Sequence, residues 1–140
     1  MTITIQSAVT TFGVDILDYH DRELTIPIVD RTRQGDVIVV PAQFVHGLRP
    51  ASTPVPQAGV AVVRGESGGN THSLHGDGPI FFDSVRQSSD ADLTLGTLTV
   101  PDGSTAYLAH PEHAFTGIAP GTYRVGRQRE QFDEIRMVQD

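Results

Sequence analysis

The chain has 140 residues, with 10 basic and 17 acidic side chains, a net charge of −7 and no cysteine. The lack of cysteine excludes disulfides, iron–sulfur clusters and thiolate zinc sites. The acidic balance disfavours a general nucleic-acid binder, because phosphate backbones require a positive face. All ten basic residues are arginine, so chemistry that depends on lysine, such as Schiff-base formation, is excluded as well.

The length is typical of one domain that can bury its own core. We therefore expect a single β domain over residues 1–140, in which residues 1–33 form an N-terminal extension of a core over 34–140. No apolar run reaches the 18 residues of a membrane span. The first 21 residues contain neither Lys nor Arg and no long apolar stretch, so no secretory signal is expected and a cytoplasmic protein is predicted.

The first elements in chain order are short. Alternation of polar and apolar residues predicts a strand over 2–5. Residues 14–24 are acidic and their pattern is ambiguous, because it also fits one face of a helix. A strand is predicted over 24–29, but Pro27 lacks an amide hydrogen and restricts this strand to a sheet edge. The β-branched run over 37–40 predicts a strand that is buried on both faces.

The remaining elements are strands separated by turn residues. One informative strand is 94–100, where the apolar phase changes beside Gly96; this predicts a β-bulge that lets Leu95 and Leu98 both face the core. Residues 130–140 fit a last strand or a short helix. The other predicted strands are 59–63, 71–74, 79–82, 105–109 and 122–127.

About eight to ten short strands follow, with turn signals every 8–12 residues. Strand content should therefore exceed helix content several-fold. This pattern is typical of an all-β domain, either a small β-barrel or a β-sandwich.

The histidines are the main candidates for chemistry, and four of the six fall in two clusters, His72 with His75 and His110 with His113. Imidazole is the commonest metal ligand, so we predict a zinc or iron site on His72, His110 and His113, with His75 and Glu112 as further candidates. Residues i and i+3 of a strand point to opposite faces. His72 and His75 therefore share a site only if the chain turns between them. The alternative is that these histidines have ordinary structural or surface roles.

A second candidate site is the arginine-rich stretch near the C-terminus. Arg124, Arg127 and Arg129 lie within six residues and are predicted to bind an anion or a partner. The alternative is a solvated edge strand that its charges protect from aggregation.

Four segments carry a resemblance to a known family: residues 34–41, 70–74, 110–113 and 119–130. In this order and spacing they resemble a family of small bacterial proteins of unassigned function, over roughly residues 34–140. The tail, Pro120 to Val125 followed by Arg127 to Glu130, is its most specific part. The family pattern has a histidine where this chain has Asn70, which puts a metal site based on that pair in doubt.

Residues 70–72 with Asp77, and residues 101–103 before His110, echo two motifs of the cupins. This looser resemblance is to small β-barrels that hold a metal on histidines and a carboxylate. It concerns architecture alone, because the motif spacings differ. The function favoured by the sequence is a β module that binds a small molecule or a protein partner without catalysis. The alternative is a metal-dependent, cupin-like enzyme with His72, His110 and His113 at the ion. A third reading is a structural protein that forms a homo-oligomer.

Overall fold

The computed structural model describes residues 3–18, 20–63, 71–85 and 94–127. These residues form one α-helix, a short 3-10 helix (Ala42–Phe44) and ten strands. In chain order the elements are α1 (Ile5–Phe12), β1 (Ile28–Val29), β2 (Thr32–Gln34), β3 (Val37–Pro41), β4 (Val60–Val63), β5 (His72–Asp77), β6 (Phe81–Ser84), β7 (Thr94–Val100), β8 (Thr105–His110), β9 (Ala114–Ile118) and β10 (Gly121–Arg127).

The strands form two five-stranded sheets. Sheet I has the order β1-β9-β8-β5-β4 and sheet II the order β2-β3-β10-β7-β6. Within the described residues neither sheet closes on itself. The all-β prediction is therefore confirmed in its sandwich form, and the barrel is not supported.

The core lies between the two sheets and follows the alternation of each strand. Sheet I contributes Leu74 and Leu108, and sheet II contributes Val39, Leu98 and Val125, all at most 1% exposed. Because a strand alternates its faces, the neighbours of these residues point outward. Strand β8 is the exception, since all six of its residues are buried. It therefore has a second covered face, toward the N-terminal segment.

The predicted bulge beside Gly96 is confirmed. On β7, Gly96 pairs with Val125, but the next pair joins Thr94 to Gly126, so Leu95 is the extra residue. Leu95 packs against the core that contains the fully buried Leu98. A Cβ at Gly96 would lie 2.5 Å from the ring of Phe82, so glycine is the residue that allows this close approach.

The strand predicted over 2–5 is wrong, because the helix α1 begins at Ile5. Thr4 caps the helix, with its hydroxyl accepting the Ser7 amide at 3.1 Å. Ile5, Ala8 and Phe12 form the buried face at helical spacing. The strand predicted over 24–29 is reduced to the two residues of β1, at the edge of sheet I. The segment 130–140 lies outside the described residues.

Helix α1 covers the outer face of sheet I. Its Phe12 packs with Tyr107, Ala109 and Phe115 in an apolar cluster that is separate from the core between the sheets. Sheet I thus has its odd-numbered β8 residues under the helix and its even-numbered ones, including His110, on the inner side. No helix in the described part of the chain is long and apolar enough to cross a membrane.

Candidate metal centre

Three histidines meet at one end of the sandwich. Strand β5 begins at His72 and its antiparallel neighbour β8 ends at His110, in a register that pairs Ser73 with Ala109. The two rings therefore lie side by side, with centroids 4.3 Å apart. The ring of His113 lies 4.8 Å from that of His110 and 6.2 Å from that of His72. The sequence predicted that His72 would approach this pair.

The turn between β8 and β9 presents the second pair of histidines. The His113 amide donates to the His110 carbonyl at 3.1 Å, which closes a four-residue turn with Pro111 at its second position, where proline is favoured. The next residue, Ala114, has φ of 60° and is the only non-glycine with positive φ in the described ranges. Such strained residues tend to cluster at active sites and ligand clamps.

The donor atoms of this turn lie close enough to be gathered around one ion. One ligand atom from each of His110, Glu112 and His113 lies within 4.8 Å of the other two. Two imidazoles on one tetrahedral ion, with bonds of about 2 Å, have centroids about 5 Å apart, and the observed separations of 4.3 to 6.2 Å bracket this value. Two histidines and a carboxylate are the donors of non-haem iron sites, and they also suit zinc.

Hydrogen bonds define which ring nitrogens carry hydrogen. Nε2 of His72 lies 3.1 Å from the Gln34 carbonyl oxygen, which can only accept, so Nε2 donates and Nδ1 keeps its lone pair. Metal-bound histidines typically make such a bond to a carbonyl. His110 is arranged differently, since its Nδ1 accepts the Glu112 amide at 3.0 Å. An ion at this nitrogen must displace the amide.

Burial keeps the inner imidazoles neutral, which is the form that binds metals. His72 is 5% and His110 7% exposed. Burial, and then the neighbouring His110, lower the pKa of His72 to about 4, against a smaller opposing effect of Asp36. Burial and then His113 lower the pKa of His110, with Glu112 and Asp36 opposing. His72 and His110 are therefore neutral imidazoles at neutral pH.

The turn between β2 and β3 covers the cluster from sheet II. At Gly35, with φ of +59°, a Cβ would lie 3.1 Å from Nε2 of His113 and 3.4 Å from Nε2 of His72. Gln34 beside it is 4% exposed and donates from its side-chain amide to the Leu108 carbonyl at 3.1 Å. Its Oε1 has no hydrogen-bond partner among the described residues. A buried acceptor of this kind fits a site that takes a further donor.

The other predicted site residues lie elsewhere. His75 points to the opposite face of sheet I, where its ring lies 5.2 Å from that of Phe12. Arg124 donates to Thr94 Oγ1 at 3.2 Å. Arg127 pairs with Asp36 at 3.4 Å, next to the turn that covers the cluster. Arg129 lies outside the described residues, so the arginine site stays a prediction.

Residues around the cluster were missed by sequence reasoning. The composition of residues 33–36 is typical of a turn, and nothing in it shows that Gln34 and Gly35 cover histidines 38 and more residues later. His20 was equally hidden. Its Nε2 lies 2.8 Å from the Glu112 carbonyl oxygen, and the sequence separation of 92 leaves no local signal.

The family described as Domain of unknown function (DUF8820) matches residues 33–128. The match spans more than half of the chain, so the chain belongs to this family. It confirms the resemblance to a family without an assigned function. No curated protein and no solved structure matches the chain.

Proposed function

We propose that this member of the DUF8820 family is a binding module whose ligand is a divalent transition-metal ion. The ion is held by His110, Glu112 and His113, and the buried His72 ring lies beside these three ligands. The observation that carries the proposal is the convergence of the three ligands at one end of the sandwich, where their ligand atoms lie within 4.8 Å of one another. Zinc and ferrous iron are the ions that suit a set of imidazoles and one carboxylate.

The exposure of the donors supports a site that is open on one side. His110 is buried, whereas Glu112 and His113 are exposed. A bound ion would thus rest on the buried His72–His110 pair and face solvent through the turn. A small molecule or protein partner, the ligands that the sequence favours, would reach the ion from this exposed side.

The same open side favours a second candidate function, a metal-dependent enzyme. Catalytic zinc sites keep a coordination position for water or substrate, whereas structural sites are closed by four protein ligands. Glu112 and His113 are exposed, so a fourth position on an ion held by His110, Glu112 and His113 would be reachable from the solvent side. Hydrolysis of an activated phenyl ester by zinc-loaded protein, compared with His113→Ala, distinguishes the enzyme from a module that only binds.

The primary test is a metal titration of chelator-treated protein. We expect one equivalent of Zn²⁺ or, under anaerobic conditions, Fe²⁺ to bind in competition with a chromogenic chelator. His113→Ala and His110→Ala should weaken binding more than 100-fold, beyond the 10–100-fold typical of groups outside the ligand set. His72→Ala should weaken it by at least about 10-fold.

The matched control is His46→Ala, which removes an exposed histidine just after the 3-10 helix that follows β3. It should leave metal affinity unchanged. The proposal is overturned if wild-type protein binds no stoichiometric ion, or if His113→Ala binds as tightly as His46→Ala.

A further inference from the structure

The N-terminal segment contacts the turn that carries the proposed metal donors. After α1 the chain passes the β8–β9 turn, and the Leu17 amide donates to the Pro111 carbonyl at 2.9 Å. His20 follows with its Nε2 donating to the Glu112 carbonyl at 2.8 Å. Both acceptors belong to the two central residues of the turn.

These two bonds hold both peptide groups on either side of the Glu112 Cα. The Pro111 carbonyl and the Glu112 amide belong to one peptide group, and that amide donates to Nδ1 of His110 at 3.0 Å. Leu17 therefore fixes the first of these peptide groups in the turn. The Glu112 carbonyl belongs to the next peptide group, which leads to His113, and His20 holds that one.

The segment itself is fixed to the fold. Ile16 is 3% exposed and belongs to the apolar cluster beneath α1. The Arg22 guanidinium donates to the Ile16 carbonyl at 3.1 Å, and the Gln6 amide of the helix donates to the Arg22 carbonyl at 2.8 Å. The donors on Leu17 and His20 are thus held in place from two sides.

We infer that residues 13–18 together with His20 are a positioning strap for the metal-binding turn, with His20 as its principal positioning residue. The inference rests on the proposed function. The strap lies outside the family match, which starts at residue 33. The proposed ligands lie within the matched domain, and the strap that orients them precedes it. Groups that orient metal ligands typically contribute 10–100-fold to metal affinity.

The test compares two substitutions at one position. His20→Phe removes the donor to the Glu112 carbonyl, and we expect Zn²⁺ affinity to fall about 10-fold or more. His20→Gln keeps an N–H donor but is a poor metal ligand, and it should recover most of the affinity. The visible spectrum of bound Co²⁺ should change in His20→Phe and stay as in wild type in His46→Phe, the matched surface control.

The outcomes separate positioning from other roles. Equal loss in His20→Phe and His20→Gln would make His20 a metal ligand and overturn the positioning role. Wild-type affinity and spectrum in His20→Phe would overturn it too.

A metal-free measurement keeps the inference distinct from the proposed function. In protein without metal, hydrogen exchange at the Leu17 and Glu112 amides should accelerate in His20→Phe but not in His46→Phe. If wild type binds no metal, the proposed function fails while faster exchange still shows that the strap orients the turn. Unchanged exchange overturns the strap whatever the metal result.

Discussion

His72 and His75 stand three residues apart on the same strand and have opposite surroundings. His72 faces the space between the sheets, beside the His110 ring and the Gln34 carbonyl. His75 faces the layer beneath α1, against the ring of Phe12. There its Nε2 bonds the Ser73 hydroxyl at 2.8 Å, and its Nδ1 has no partner among the described residues. The two-residue period of a strand is the whole cause of this difference.

The comparison shows what distinguishes a candidate site from a buried histidine. Both rings are almost fully buried and both have a lowered pKa. For His75 the cause is burial alone, whereas His72 also experiences the charge of neighbouring imidazoles. A lowered pKa therefore does not separate them, since structural burial perturbs titration as well. The convergence of several donors does.

The largest expected difference in stability is between a glycine-to-alanine substitution beside His75 and one beside His72 and His113. A Cβ at Gly59, which has φ of +88°, would lie 2.4 Å from the His75 ring and 2.8 Å from the Leu74 carbonyl. We expect Gly59→Ala to lower the free energy of unfolding by about 3 kcal/mol, because left-handed strain and overpacking add. Gly35→Ala has the strain but looser contacts of 3.1–3.4 Å, and should cost about 1–2 kcal/mol. Urea unfolding measures both.

For Zn²⁺ affinity we expect the reverse order, with the larger effect in Gly35→Ala. Gly35→Ala pushes on His113 and His72 and should weaken Zn²⁺ binding, whereas folded Gly59→Ala should bind as wild type does. Equal effects of the two variants on metal affinity would contradict the separation of the two faces.

The sequence predicts the strands well where the signal is local. The β-branched run of β3 and the phase change beside Gly96 are properties of consecutive residues, and both appear in the fold. The predicted burial of β3 on both faces is wrong, because Val37 and Val39 are buried but Ile38 and Val40 are only half-buried. The N-terminal strand fails for the opposite reason. Ile3 and Ile5 fit a strand, but the Thr4 cap and the buried Ile5, Ala8 and Phe12 favour a helix once sheet I provides a surface for them.

For the candidate site too, the local signals could be predicted from the sequence and the long-range contacts could not. His72, His110 and His113 could be selected because each lies at a strand end or turn, and strand pairing then brings them together. The groups that orient them could not. Gln34 and His20 reach the cluster through long-range contacts, and a single sequence carries no signal for which loop covers which strand end.

The pH dependence of stability tests whether His75 stays neutral in the folded protein. Burial lowers the pKa of His75 in the folded protein, so below about pH 6.5 the unfolded chain binds more protons. Stability should therefore fall as pH is lowered from about 7 to about 5. One such proton contributes at most about 1.4 kcal/mol per pH unit.

His75→Gln removes this proton and should make the dependence less steep by that proton's share, while His72 and His110 keep theirs. Urea unfolding at several pH values measures the slope. His46→Gln, at an exposed histidine, is the control and should keep the wild-type slope. An unchanged slope in His75→Gln would show that His75 does not remain neutral in the fold.

The smallest expected effect concerns the tyrosine that faces His75 across the strands. Tyr107 pairs with His75 in the sheet and is fully buried, and its hydroxyl has no hydrogen-bond partner among the described residues. An unpaired buried hydroxyl costs about 1–3 kcal/mol, so Tyr107→Phe should leave stability unchanged or raise it by about 1 kcal/mol.

Tyr123 is the matched control, since it is equally buried but its hydroxyl donates to the Ala119 carbonyl at 2.6 Å. Tyr123→Phe should therefore destabilise by about 1 kcal/mol. Urea unfolding of the two variants measures this difference of sign. A loss of stability in Tyr107→Phe as large as that in Tyr123→Phe would mean that the layer beneath α1 satisfies its hydroxyl, and that the polar groups around His75 form a network of their own.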